Sequence, residues 1–352
     1  MHLHALRHNL ARVRELAAPA RVMAVVKADA YGHGLERVAR ALADADAFGV
    51  AAIADGLRLR AAGHRQRIVV LAGPDSASDL AELRRLQLDA VIHHDSQLDW
   101  LDADRGTTPI RVWLKVDSGM HRLGFAAERV AAVHARLSAM PAVADDIVLM
   151  THFAASDEFD SSLTTAQIAC FEQATSGLPG PRSLSNSAAV LGWPTARGDW
   201  VRAGGLLYGL SVVEGKSGAD FGFAPAMTLA TRLIAINSIR QGEYVGYGAL
   251  WQAPVDMPLG VAAIGYGDGY PRSIAAGTPV VVDGKPAQII GRVSMDLIAI
   301  DLRSAATAKV GAPVLLWGPE LPVETIANHA ASISYELTCG VTRRVLFVED
   351  DR

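Results

Sequence analysis

The sequence predicts an α/β protein: an N-terminal (β/α)8 barrel of the TIM type followed by a C-terminal, mainly β domain. The first observation behind this is an alternation that runs to about residue 215, in which short apolar runs are separated by helix-period segments such as LERVARALADA and ERVAAVHARLSAM. The second is that the runs are continuous in Val, Ile and Leu, which suits strands buried on both faces of a parallel sheet. The third is a change of texture after Gly222, where short β-rich runs are broken by turn residues. The expected division is residues 1–224 for the barrel and 225–352 for the β domain. A doubly wound sheet stays open as the alternative, because strand order is not readable from one sequence.

In order, the expected strands are VMAVVK (22–27), AFGVAAI (47–53), RIVVLAG (67–73), LDAVIHH (88–94), IRVWLKVDSG (110–119), DIVLMTHF (146–153), SLSNSAA (183–189) and DWVRAGGLLYG (199–209). Eight such repeats in a little over 200 residues fit a barrel. The opening segment, MHLHALRHNLARVREL, has the spacing of an amphipathic helix and lacks the continuous apolar core of a signal peptide. Beyond the barrel, VVVDGKPAQII predicts a hairpin turning at Asp-Gly.

Composition narrows the function. The chain has 33 basic and 37 acidic residues, net −4, so no broad basic field exists for nucleic acid. Apolar stretches are interrupted before about 18 residues, so no membrane span is expected. Two cysteines, Cys170 and Cys339, are too few for a disulfide framework and lack metal-ligand spacing. A soluble, cytoplasmic protein is the expectation.

Barrel enzymes place their chemistry just past the C-terminal ends of the strands. Those positions hold Lys27, then Lys115 with Asp117 and Arg122, then His152, Asn186 with Ser187, and Arg202 with Gly204 and Gly205. Each has a bland alternative. A strand-end lysine can snorkel, Asn and Ser can cap a helix, a lone histidine can be a satisfied core group, and paired glycines can be turns. Their joint occurrence at successive strand ends favours a site. A lysine in apolar surroundings can react as a neutral amine with an aldehyde, and Ser187 with Gly204 and Gly205 suits a phosphate. Tyr31, one turn beyond Lys27 if the segment coils, adds a phenol. Pyridoxal phosphate (PLP) fits these parts, with Arg202 placed to face its ring nitrogen. An unrelated barrel enzyme fits the residues equally well at this point.

The segments VVKADAYGHG, LKVDSGMHRLGF, THFAASD, SNSAA, VRAGGLLYG, YVGYGALW, IGYGDGY and RVSMD resemble, in order and across nearly the whole chain, the alanine racemases of bacteria. The resemblance implies PLP, a barrel plus β domain, and a homodimer with shared active sites. It further implies interconversion of L- and D-alanine, supplying D-alanine for peptidoglycan. It makes Lys27 the Schiff-base lysine and Tyr247 the second acid/base. Tyr31, His152, Asn186, Ser187, Arg202, Gly204 and Gly205 become the cofactor shell, while Arg122 and Met295 meet the substrate carboxylate. Lys115 matches a lysine often found carbamylated. The chain departs from the family pattern at Ser294, where cysteine is common, at His121, where glycine is common, and at Arg343, where some members have a tyrosine. It also starts closer to the first motif than most.

Overall fold

The computed structural model describes residues 1–351. The chain forms two compact units: Leu6–Leu207 with Val212–Gly215, and Met1–Ala5, Tyr208–Ser211 and Lys216–Arg352 together.

In the first unit the eight expected strands all form: β1 (Arg21–Val25), β2 (Ala47–Val50), β3 (Arg67–Val70), β4 (Asp89–Ile92), β5 (Val112–Asp117), β6 (Val148–Met150), β7 (Arg182–Ser183) and β8 (Trp200–Ala203). Parallel pairing runs β7-β6-β5-β4-β3-β2-β1-β8, with Met23 opposite Ala47 and Arg21 opposite Trp200. The ring closes between β7 and β8 through irregular bonds, Asp199 N–H to the Arg182 carbonyl at 2.8 Å and Arg202 N–H to that of Ser185 at 2.9 Å. A doubly wound sheet is thereby excluded. The seventh strand is shorter than expected. Its segment is rich in Ser and Asn rather than branched residues, and from Ser187 to Gly192 it is helical, capped by Asn186.

Met23, Ala47, Val69, Val91, Trp113, Val148, Met150 and Trp200 fill the barrel. At the strand starts the base is plugged. Asp89, wholly buried, accepts hydrogen bonds from Arg67 Nε (2.8 Å), Arg111 Nε (2.9 Å) and Trp113 Nε1 (3.1 Å). Trp113 and Trp200 meet edge to face at 5.5 Å, with the Arg21 guanidinium 4.1 Å from the Trp200 ring centre. The other end, where the strands finish, is left for chemistry. The expected first helix runs from Leu3 to Ala17.

The second unit contains a closed antiparallel barrel of six strands: β9 (Leu229–Ile239), β10 (Met257–Ala262), β11 (Pro279–Val282), β12 (Lys285–Ile290), β13 (Ile298–Asp301) and β14 (Pro313–Trp317). Closure removes exposed edges. Val282 pairs with Lys285, and Asp283 and Gly284 both take positive φ (50° and 75°), so the expected hairpin turns through two left-handed residues. Two helices, Val323–His329 and Ser334–Gly340, follow the strands. No helix is long and apolar enough to cross a membrane among the described residues.

Candidate active site

Lys27 stands two residues beyond the last residue of β1, exposed at the barrel mouth. The segment after it coils as expected, but with the opposite hand. Ala28, Asp29, Ala30 and Tyr31 all have φ between 51° and 56°, a left-handed turn built without glycine. Such backbone costs roughly 1–2 kcal/mol per residue, so it persists only where surroundings hold it. The turn supplies some of its own support. Ala30 N–H bonds the Val26 carbonyl (2.9 Å), Gly32 N–H that of Ala28 (3.0 Å) and Gly34 N–H that of Asp29 (2.8 Å). His33, fully buried and pushed down to about 4 by that burial, stays neutral and binds the Tyr31 carbonyl through Nδ1 at 2.8 Å.

The turn brings the Tyr31 hydroxyl against Gly204, just past β8. A Cβ at Gly204 would push against that hydroxyl, so glycine here lets the phenol come close. Ser187 Oγ accepts the Gly204 N–H at 2.8 Å. Gly204 thus contributes close approach, its amide being already engaged, and Gly205 opens the short helical turn that follows. Asn186 is the helix cap that sequence logic offered as its bland reading. Its Oδ1 accepts Ala189 N–H (3.0 Å) and the Ser156 hydroxyl (2.9 Å).

Arg202 is the unusual group of the set. It is buried, yet no carboxylate is among its hydrogen-bond partners. Its terminal nitrogens donate to the carbonyls of Ser183 (2.7 Å), Thr151 (2.6 Å) and Leu184 (3.1 Å), to Ser183 Oγ (2.7 Å), and to His152 Nδ1 (3.3 Å). Desolvation moves its pKa only down to about 10, so the charge remains. His152 is held well below its ordinary value by burial and then by the charges of Arg202, Lys115, Arg122 and Lys27. It is a neutral imidazole accepting at Nδ1, which leaves Nε2 to donate.

Lys115, in the last turn of pleat of β5, is also buried, and burial with the Arg202 and Arg122 charges pushes it down to about 7. Its nearest acid, Asp117, is occupied. The carboxylate accepts the backbone N–H groups of Gly119 (3.1 Å) and His121 (3.0 Å) and the His121 ring at 3.1 Å. His121 sits at φ 54°, which explains why glycine suits this position and why a histidine needs a side-chain bond to stay there. The bonded loop carries Arg122, which is exposed. Sequence reasoning missed Gln167. Fully buried, it accepts the Ala154 N–H at 2.9 Å and donates to the His152 carbonyl at 3.2 Å, fixing the strand end that bears His152. A glutamine on the apolar face of the helix Ser162–Ala174 was the available signal.

Tyr247 and Met295 belong to the second unit. Tyr247 begins a helical turn between Gly246 (φ 73°) and Gly248 (φ 80°) and is 71% exposed. Met295, also exposed, is held by its neighbours: Gly267 N–H bonds its carbonyl at 2.8 Å and Tyr266 N–H that of Ser294 at 3.0 Å. Leu250, Tyr266 and Leu297 are exposed as well.

Residues 1–212 match the family described as alanine racemase, N-terminal domain, and residues 226–348 its C-terminal domain. Alanine racemase of Shewanella putrefaciens is 51% identical over 341 residues, 97% of this chain and 95% of its own length. That of Nitrosococcus oceani is 52% identical over 344 residues, 97% and 96% of the two chains. The crystal structure of biosynthetic alanine racemase from Pseudomonas aeruginosa superposes with a TM-score of 0.96 at 43% identity, covering 99% of this chain and 98% of that one. The structure from Acinetobacter baumannii gives 0.93 at 36%, over 100% and 98%. By sequence and by fold, then, the chain belongs to the alanine racemase family.

Proposed function

We propose that this protein is a PLP-dependent alanine racemase that interconverts L- and D-alanine in the cytoplasm and supplies D-alanine for peptidoglycan. Residues 1–224 bind the cofactor and residues 225–352 contribute the second acid/base. The observation that carries the cofactor reading is the pairing of a buried, carboxylate-free Arg202 with the Tyr31–Ser187–Gly204 cradle beside Lys27. The cradle suits a phosphate, with Ser187, Tyr31 and Gly205 around it, and Asn186 holding the helix on which Ser187 stands. The guanidinium suits a ring nitrogen that accepts a hydrogen bond.

PLP, when bound, supplies an electron sink that acidifies the α C–H of the amino acid. Racemisation then needs a proton taken from one face and another returned to the opposite face. Tyr247 Oη takes the proton of L-alanine while the Lys27 ammonium gives one to the other face; D-alanine runs the reverse. Arg122 and the Met295 backbone N–H orient the substrate carboxylate. Arg202 keeps its own proton at neutral pH and so offers a hydrogen bond without protonating the ring nitrogen. That keeps the sink weak and disfavours transamination. Borohydride reduction of the loaded enzyme followed by peptide mapping should place the pyridoxyl label on Lys27; label on another lysine would refute the assignment.

Tyr247 is mostly solvent-exposed in the single chain, and a proton-transfer group needs a site closed to water. A homodimer in which the Tyr247 face of one copy covers the barrel mouth of the other meets that need. Mixing an inactive Lys27→Ala chain with an inactive Tyr247→Phe chain should restore part of the activity. Mixed dimers that form and stay inactive would exclude shared sites.

Lys115 completes the reading as a carbamate. Four cations, Lys27, Lys115, Arg122 and Arg202, act on His152, and the one carboxylate near Lys115 is engaged elsewhere. With its pKa down to about 7, a large share of Lys115 is neutral amine near pH 7 and above. That amine adds to the carbon of CO2 and releases a proton to solvent, leaving an anion that pairs with Arg122. Because the neutral form reacts, the modified fraction rises with pH. A crystal grown near pH 8 should show carboxylate density on Nζ, and a bare amine there would remove the idea.

A further inference from the structure

The turn after Lys27 has a side-chain anchor outside itself. Asp29, at its centre, accepts the Leu35 N–H (3.1 Å) and one Arg58 terminal nitrogen (2.8 Å) on the same oxygen. Arg58 lies on the helix Ile53–Ala61 after β2, in the next repeat of the barrel. Its Nε and the same terminal nitrogen each reach a different oxygen of Glu36 at 2.8 Å, and its remaining nitrogen lies 3.7 Å from Asp55. One guanidinium therefore ties together the left-handed turn (Asp29), the helix that follows it (Glu36) and the neighbouring βα unit.

The partners are partly exposed, and an isolated pair of this kind contributes little to overall stability. Its geometry is not that of an isolated pair. The Glu36 contact is two-pronged, and the Asp29 contact falls on a residue whose backbone lies in a region disfavoured for any side chain. We propose that Arg58 is a positioning residue for Lys27: by gripping Asp29 and Glu36 it holds the left-handed turn that aims Lys27 and Tyr31 into the site. This rests on Lys27 being the residue that carries the cofactor. Arg58 acts through backbone geometry and touches neither substrate nor cofactor. The role also asks for guanidinium shape, since an ammonium cannot span Asp29 and both Glu36 oxygens together.

The test compares cofactor-loaded wild type with Arg58→Ala, Arg58→Lys and the control Arg85→Ala, which removes an exposed ion pair to Glu82 far from the turn in sequence. Amide hydrogen exchange is read over residues 28–35, together with the PLP dissociation constant and the borohydride label. Arg58→Ala should speed exchange of the Gly34 and Leu35 amides at least tenfold and weaken PLP binding at least fivefold. Arg58→Lys should fall between it and wild type, and Arg85→Ala should match wild type. Equal exchange and equal PLP affinity in Arg58→Ala and Arg85→Ala would overturn the proposal. A wild-type label on another lysine would instead overturn the assignment of Lys27, and would leave the exchange result to report on the clamp by itself.

Discussion

Replacing Tyr247 with phenylalanine should lower racemisation by about three orders of magnitude or more, each tenfold loss representing about 1.4 kcal/mol of transition-state stabilisation. The ring and the packing survive; only the hydroxyl is removed. Lys27, Arg202 and the phosphate cradle are untouched, so PLP binding should persist. The informative readout is exchange of the α-proton with solvent deuterium, measured separately for each enantiomer. With Lys27 assigned to the D-alanine proton, as proposed, D-alanine should continue to exchange, while L-alanine should exchange far more slowly. If exchange of both enantiomers falls together by a modest factor, Tyr247 only positions the ligand and Lys27 works alone.

Replacing Asp89 with alanine should lower the stability of the barrel by about 3–5 kcal/mol, because removing one partner of a buried charged network leaves the others uncompensated. Arg67 and Arg111 lose their shared anion and Trp113 loses the acceptor of its N–H. For a unit of this size each kcal/mol is roughly 2–4 °C of Tm, so a shift on the order of 10 °C is expected. Asp99→Ala, which removes an exposed partner of Arg136, should change little. Activity of the folded Asp89→Ala protein at low temperature should stay close to wild type, since the plug is at the opposite end of the strands from Lys27. A loss below about 1 kcal/mol would contradict the role given to this network.

The barrel was legible because parallel strands leave continuous apolar runs, and seven of the eight runs coincide with most or all of a strand. The seventh was over-read: its strand is only Arg182–Ser183, and Ser185 and Asn186 then follow with groups that bond backbone and turn the chain into a helix. The strand-end polar set was legible from position alone. Handedness after Lys27 was not: Ala28, Asp29, Ala30 and Tyr31 are ordinary residues, and their left-handed backbone is accompanied by contacts such as that between Asp29 and Arg58, which are distant in sequence. The Asp89 plug was hidden for the same reason, its four members lying on or just before three neighbouring strands. Tyr247 and Met295 carry no local mark of function, and only the resemblance of their motifs singled them out.

The cations gathered at the barrel mouth also affect how ligands arrive. The chain as a whole is net negative, yet the charges of Lys27, Arg122 and Arg202 all act on His152 at the strand ends. The strand ends therefore form a locally cationic region on a net-negative chain. The phosphate dianion of the proposed cofactor, approaching from solution, is drawn to that end. The attraction reaches about one Debye length, ~10 Å at 0.1 M salt, so capture of the proposed PLP should slow as ionic strength rises. The salt of the medium should thus set how fast the proposed cofactor enters.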